Sequence, residues 1–178
     1  GLSNLMYINL PSSISSIGSG AFSGCSSLKE ISLPSSMSVI ESEVFSGCSL
    51  LSKVVIPSSI SVIKERAFKE CYSLIEIEIP SSVTIIEQEA FLKCSSLDRI
   101  SIPSAITTIT RNTFSECNSL NFVSISHSVT SIEYSAFSKC SSLKEIEISA
   151  SISSIGSNAF SECTSLSKVV IPSSINEI

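Results

Sequence analysis

Apolar residues return on a fixed beat along the chain. From Leu28 to Leu33 they alternate with polar ones: Ile31 and Leu33 are separated and flanked by Glu30 and Ser32. A period of two predicts a short strand with one buried face. Pro34 follows at once; it has no N–H to give to a ladder and ends the strand. Met37 and Ile40 then point back into the core across a turn. Val44, Phe45 and Cys48 fall at i, i+1 and i+4, which predicts one turn of helix or 3-10 helix on the far side. Leu51 opens the next strand, and the sequence of elements begins again.

The interval is 23 residues throughout. Cys25, Cys48, Cys71, Cys94, Cys117, Cys140 and Cys163 keep it, and Phe22, Phe45, Phe68, Phe91, Phe114, Phe137 and Phe160 keep it three residues earlier. A fixed period of this length enclosing Leu-x-x-Ile-x-Leu is the signature of a leucine-rich-repeat solenoid. The expected fold is a single right-handed solenoid over residues 1–178. It has a parallel β-sheet of about eight short strands, and short 3-10 or helical turns on the opposite side. One rung cannot offset the entropy of ordering its own backbone, so only stacking makes it stable.

A further column is made of Ser13, Ser36, Ser59, Ser82, Ser128, Ser151 and Ser174, with Ala105 as its one interruption. These read as a hydroxyl ladder that satisfies backbone groups in the turn. The seven cysteines read as small buried hydrophobes, since the odd count and even spacing do not suit a disulfide framework.

Composition narrows the field. Serine makes up about a quarter of the chain. Its interleaving with a periodic apolar set and a mean hydropathy of +0.42 exclude disorder. Net charge is −5 and the eleven basic residues are scattered, so no phosphate-neutralising patch for nucleic acid is present. No apolar run is long enough to cross a bilayer. The chain starts and stops in mid-repeat, which reads as a fragment of a longer protein. Its apolar edges, Leu5–Leu10 and Ile171–Ile178, then imply weak end-to-end self-association.

The repeat Leu-x-x-Ile-x-Leu-Pro-Ser-Ser-x-x-x-Ile, followed by Ala-Phe-x-x-Cys-x-x-Leu, resembles the BspA-like class of leucine-rich repeats. Ala67-Phe68 through Cys71-Tyr72-Ser73-Leu74 to Ile79-Pro80 shows it most fully. The resemblance covers the whole chain. It implies an arc-shaped solenoid on the cell surface, serving adhesion or host interaction as an antigen. The alternative is an intracellular scaffold or the sensing domain of a larger protein. Ser126 and Ser149 depart from the strand-ending proline, and a looser turn is expected at both.

Charged columns alternate in sign from rung to rung. One reads Glu30, Lys53, Glu76, Arg99, Phe122, Glu145, Lys168; others pair Glu41 with Lys64 and Glu43 with Arg66. They are expected to form cross-strand ion pairs that set register. Glu76 with Glu78 and Glu145 with Glu147 space two carboxylates as an inverting glycosidase would, but on an open sheet with no cleft to raise a pKa. No nucleophile elbow, phosphate loop or metal-ligand spacing occurs. The reading is therefore a non-enzymatic module with no cofactor and no metal, whose partner is a protein ligand. The candidate contact set is Arg99, Asn121, Phe122, Glu145 and His127. Phe122 interrupts the charged column, the first two adjoin it, Glu145 lies one rung on, and His127 is the single histidine, in a solvated turn beside another break in the repeat.

Overall fold

The structure is a computed structural model that describes residues 2–173 and residue 175. In chain order its strands begin with β1 Glu30–Ser32, β2 Val39–Ile40, β3 Lys53–Val55, β4 Val62–Ile63, β5 Ile85–Ile86 and β6 Arg99–Ser101. They continue with β7 Thr108–Ile109, β8 Phe122–Ser124, β9 Ser131–Ile132, β10 Glu145–Glu147, β11 Ser154–Ile155 and β12 Lys168–Val170. The three-residue strands form one face and the two-residue strands a second. Every pairing is parallel and joins residues one repeat apart, as in Glu30↔Lys53, Val62↔Ile85 and Arg99↔Phe122.

Among the described residues the first face holds six strands and two single bridges, Tyr7↔Glu30 and Glu76↔Arg99, so eight rungs contribute to it. Its ladder is paired as β1–β3, β6–β8 and β10–β12. Among the described residues no ladder pairing joins β3 to the Glu76 rung, or β8 to β10. The second face runs as two continuous triplets, β2–β4–β5 and β7–β9–β11.

The far side carries turns, as expected, but not continuous 3-10 or α-helix. No helix occurs among the described residues. Successive i→i+3 bonds instead run from Ala21, Ser23 and Cys25 to Gly18, Gly20 and Phe22, at 2.9–3.1 Å. The intervening N–H groups of Gly20, Phe22 and Gly24 donate to Ser42, Val44 and Ser46 of the next rung, at 2.7–3.0 Å. The alternation comes from left-handed residues in two columns, such as Arg66 (φ 55) and Glu70 (φ 60), through which a right-handed helix cannot run. A helix would have used these donors internally; the alternating turn sends them to the neighbouring rung.

Inside, the phenylalanines form one column. Neighbouring rings are 5.4–5.9 Å apart with planes within 15° of parallel, an offset stack. All seven cysteines are buried free thiols. From Cys48 to Cys163 each Sγ donates to the carbonyl of the phenylalanine one rung back, at 3.1–3.2 Å. Burial holds these thiols protonated. It raises Cys48 and Cys94 to about 12 from 9.0, and lifts Cys71, Cys117, Cys140 and Cys163 as well.

The serine ladder is present in part. Ser36, Ser82 and Ser128 donate their hydroxyls to the carbonyls of Ile14, Ile60 and Ile106. The buried Ser59 hydroxyl has no partner among the described residues, and Ser174 lies outside them, as do Gly1 and the end of the expected apolar edge, Asn176–Ile178. The turns at Ser126 and Ser149 are as tight as those at proline. Val129 and Ile152 donate back to residues 126 and 149 at 3.1 and 3.0 Å, against 3.1 Å from Met37 to Pro34. Each serine hydroxyl accepts from the N–H two residues on, Ser128 and Ser151, so a side-chain turn replaces the proline ring.

Ala105 has no hydroxyl to offer the Val83 carbonyl, the acceptor equivalent to Ile60. Ala105→Ser should therefore raise stability by about 0.5–1.5 kcal/mol, and Ser82→Ala should lower it by a similar amount. Urea titration of both variants checks this; no gain from the first and no loss from the second would remove the ladder as a stabilising element.

The thiols make stability fall in alkali. With the folded pKa values raised, their contribution is complete below about 9, and is lost as pH climbs from 9.0 through about 12. In that window the unfolded chain releases thiol protons that the folded chain keeps. The urea midpoint should drop between about pH 8 and about pH 11, less steeply in Cys94→Ala. Equal slopes for the variant and the parent would contradict this account.

Candidate protein-binding face

Strand alternation builds the site. In β8 Val123 points inward and Phe122 and Ser124 outward; in β10 Ile146 is buried between exposed Glu145 and Glu147. Phe122 is 53 % exposed and stands in register with Arg99 one rung back. The strand before it brings in the polar neighbours. Asn121 donates through Nδ2 to Asp98 Oδ1, and Arg99 Nε approaches Asp98 Oδ2 at 3.4 Å. Asp98 thus ties together two of the residues expected from sequence, and the sequence reading missed it. Its signal was available, since it lies one repeat before Asn121.

On the other side of Phe122 the face sinks into an open hollow of about 660 Å³, lined by Phe122, His127, Glu145, Glu147, Lys168 and Val170 among others. It lies over the unpaired stretch between β8 and β10. His127 is exposed, and its Nδ1 is 3.1 Å from the hydroxyl of buried Ser149 on the next rung. Of the five candidate residues, Phe122, Glu145 and His127 line the hollow, while Arg99 and Asn121 flank it beyond Phe122. Glu147 and Lys168 also belong to its wall; the sequence reading did not place them there.

The charges of this face do not pair as expected. Among the described residues, Glu30, Lys53, Glu76, Glu145 and Lys168 form no ion pair within 4.0 Å, and Arg99 turns to Asp98, the residue just before it in the chain. Exposed long side chains lose as much entropy as they gain in Coulomb energy, so nothing holds them together. The far side behaves differently. Arg66 joins Glu89 at 2.6 Å and Glu43 at 3.4 Å, and Lys64 meets Glu41 at 2.7 Å. The Arg66 hydrogen bond holds the Glu89 carboxyl below its usual range, and the Glu41 bond raises Lys64. Tyr134 lies on that side too, under the Arg111 guanidinium at 5.1 Å.

Among the described residues no group of three or more histidine, cysteine, aspartate or glutamate side chains is placed to hold a metal ion. No helix is long and apolar enough to cross a membrane. The carboxylate pairs Glu76/Glu78 and Glu145/Glu147 all stand exposed on the open sheet.

A parallel solenoid of short rungs with an exposed strand face defines a leucine-rich-repeat protein, a class of interaction modules. A family model described as BspA type leucine rich repeat region matches residues 1–121 and 84–178, and the chain belongs to that family. It is similar to a leucine-rich repeat protein from Bacteroides ovatus, with a TM-score of 0.86 and 34% identity over 91% of this chain and 42% of the other. It is similar to a leucine rich cell surface protein from Faecalibacterium prausnitzii (0.80, 37%, covering 88% and 42%). A Treponema pallidum leucine-rich repeat protein gives 0.81 at 31% identity, covering 88% of this chain and 76% of that one. The chain thus spans about two fifths of the length of the first two. No curated protein sequence matches it.

Unpaired front-face charges should be nearly neutral to stability. Lys53→Met should change it by less than about 0.5 kcal/mol, whereas Arg66→Met should lower it by up to about 1 kcal/mol. Thermal melts at low salt and at about 0.5 M salt check this, since the Arg66 effect should shrink with screening. A larger loss from Lys53→Met would mean that the face carries ion pairs after all.

Proposed function

We propose that this chain is a non-enzymatic protein-binding module, carried at a cell surface as one solenoid within a longer protein, and serving adhesion or host contact. It docks its protein partner on the strand face around Phe122. One observation carries the reading: a large apolar ring, 53 % exposed, at the rim of a hollow and ringed by Arg99, Asn121, Glu145 and His127. An apolar anchor inside a polar rim is how interface cores are built. Family membership supports an interaction role, and the Faecalibacterium prausnitzii relative, described as a cell surface protein, supports the location.

The test is comparative. A partner recovered by cross-linking to the intact chain is measured against Phe122→Ala and against Tyr134→Ala on the far side. Phe122→Ala should weaken binding by about 1–2 kcal/mol and Tyr134→Ala by little. Equal losses, or a loss from Tyr134→Ala alone, would sink the assignment.

A further inference from the structure

The hollow beside Phe122 has a counterpart. A second one, of about 530 Å³, opens on the same face among Tyr7, Glu30, Lys53 and Val55. Its residues correspond column by column to Phe122, Glu145, Lys168 and Val170, five rungs further along. Tyr7 is 59 % exposed and Phe122 53 %; Val55 is 46 % and Val170 55 %. In both places an aromatic ring is followed, one rung at a time, by a glutamate and then a lysine with a valine two residues beyond. That order occurs nowhere else on the face.

The likeness extends into the chain beneath. Leu28-Lys29-Glu30-Ile31 recurs as Leu143-Lys144-Glu145-Ile146, and the ten residues from Leu51 to Ile60 recur without change from Leu166 to Ile175. A rung needs only its apolar columns, proline and serine to stack. Identity at the outward positions 53 and 55 goes beyond what stacking requires. Five rungs apart, the aromatic, glutamate, lysine and valine that line the two hollows therefore correspond, although identities such as Ser13–Ser19 with Ser151–Ser157 also occur at six rungs.

We propose that the strand face holds two equivalent docking sites, at Tyr7/Glu30/Lys53 and at Phe122/Glu145/Lys168, and that its occupant is a protein bearing the same docking element twice. The inference rests on the docking reading above. Each element presents an apolar side chain to the ring and valine, a basic group to the glutamate and an acidic group to the lysine. Five rungs at the spacing of a parallel sheet put the sites roughly 24 Å apart. A partner whose two elements match that distance gains avidity without any new contact.

The test uses a peptide selected from a random display library. It must be retained by the intact chain and lost from the double variant Tyr7→Ala/Phe122→Ala. Titration calorimetry should then find two peptides per chain, and one on either single variant. Two copies joined by a spacer of roughly 24 Å should dissociate at least tenfold more slowly than one copy. Either single substitution should return them to the rate of the single peptide. One peptide per chain with Tyr7→Ala silent overturns the paired sites and leaves docking at Phe122 standing; one peptide per chain with Phe122→Ala silent overturns both. If no peptide from the selection depends on either ring, the docking reading fails, and this inference with it.

Discussion

The structure depends on backbone hydrogen bonds between rungs, and on a repeat length that never varies from 23 residues. Each rung has two outlets for its donors. The strands supply one, through pairings such as Glu145↔Lys168 and Val39↔Val62. The far side supplies the other, through donors such as Phe45 and Gly47 reaching the carbonyls of Ala67 and Lys69. An inserted residue would throw the donors of its own rung off their acceptors in the two neighbours unless it were looped out. The same constant interval lets the phenylalanine rings stack and each thiol find its carbonyl. Packing and register therefore reinforce one another, and no rung can be judged alone.

Much of this was readable from the chain. Strand positions announce themselves through alternation at Glu30-Ile31-Ser32 and through the proline that follows. The far-side turn did not announce itself, and the reason is chemical. Left-handed backbone is usually signalled by glycine, and among the described residues only Gly20, Gly24 and Gly47 carry that signal. Later rungs put Arg66, Glu89, Asn112 and Lys139 in the same conformation, so the glycines form no continuous column, and the apolar spacing of Val44, Phe45 and Cys48 outweighed the single Gly47 between them. The serines at 126 and 149 misled in the other direction. Their hydroxyls bond the local backbone and rebuild the proline turn, which composition alone does not reveal.

The candidate face was legible at Phe122, because an aromatic residue there interrupts a run of charges; Tyr7, which heads the same column, has no charge before it to interrupt. Asp98 escaped notice because an aspartate beside an arginine is unremarkable in sequence; only the structure shows it gathering Arg99 and Asn121. Alternating signs in the same column suggested ion pairs, and the signs were right. What the column could not show is how exposed its side chains are: Arg99 remains 66% accessible beyond the backbone.

That difference between the two sides bears on function. On the far side, Arg66 is already committed to Glu43 and Glu89, so a partner docking there would have to displace formed ion pairs. On the strand face Glu30, Lys53, Glu145 and Lys168 make no such pairs among the described residues. A partner's charges can meet them without breaking a bond inside the protein, and the loss is limited to hydration and side-chain freedom. The ladder is also interrupted beside Phe122, between β8 and β10, and a hollow opens there. Stability is thus concentrated in the core columns and the far side. The strand face is left with groups that are positioned by the stack and not used by it, the condition in which a regular scaffold can hold a specific surface.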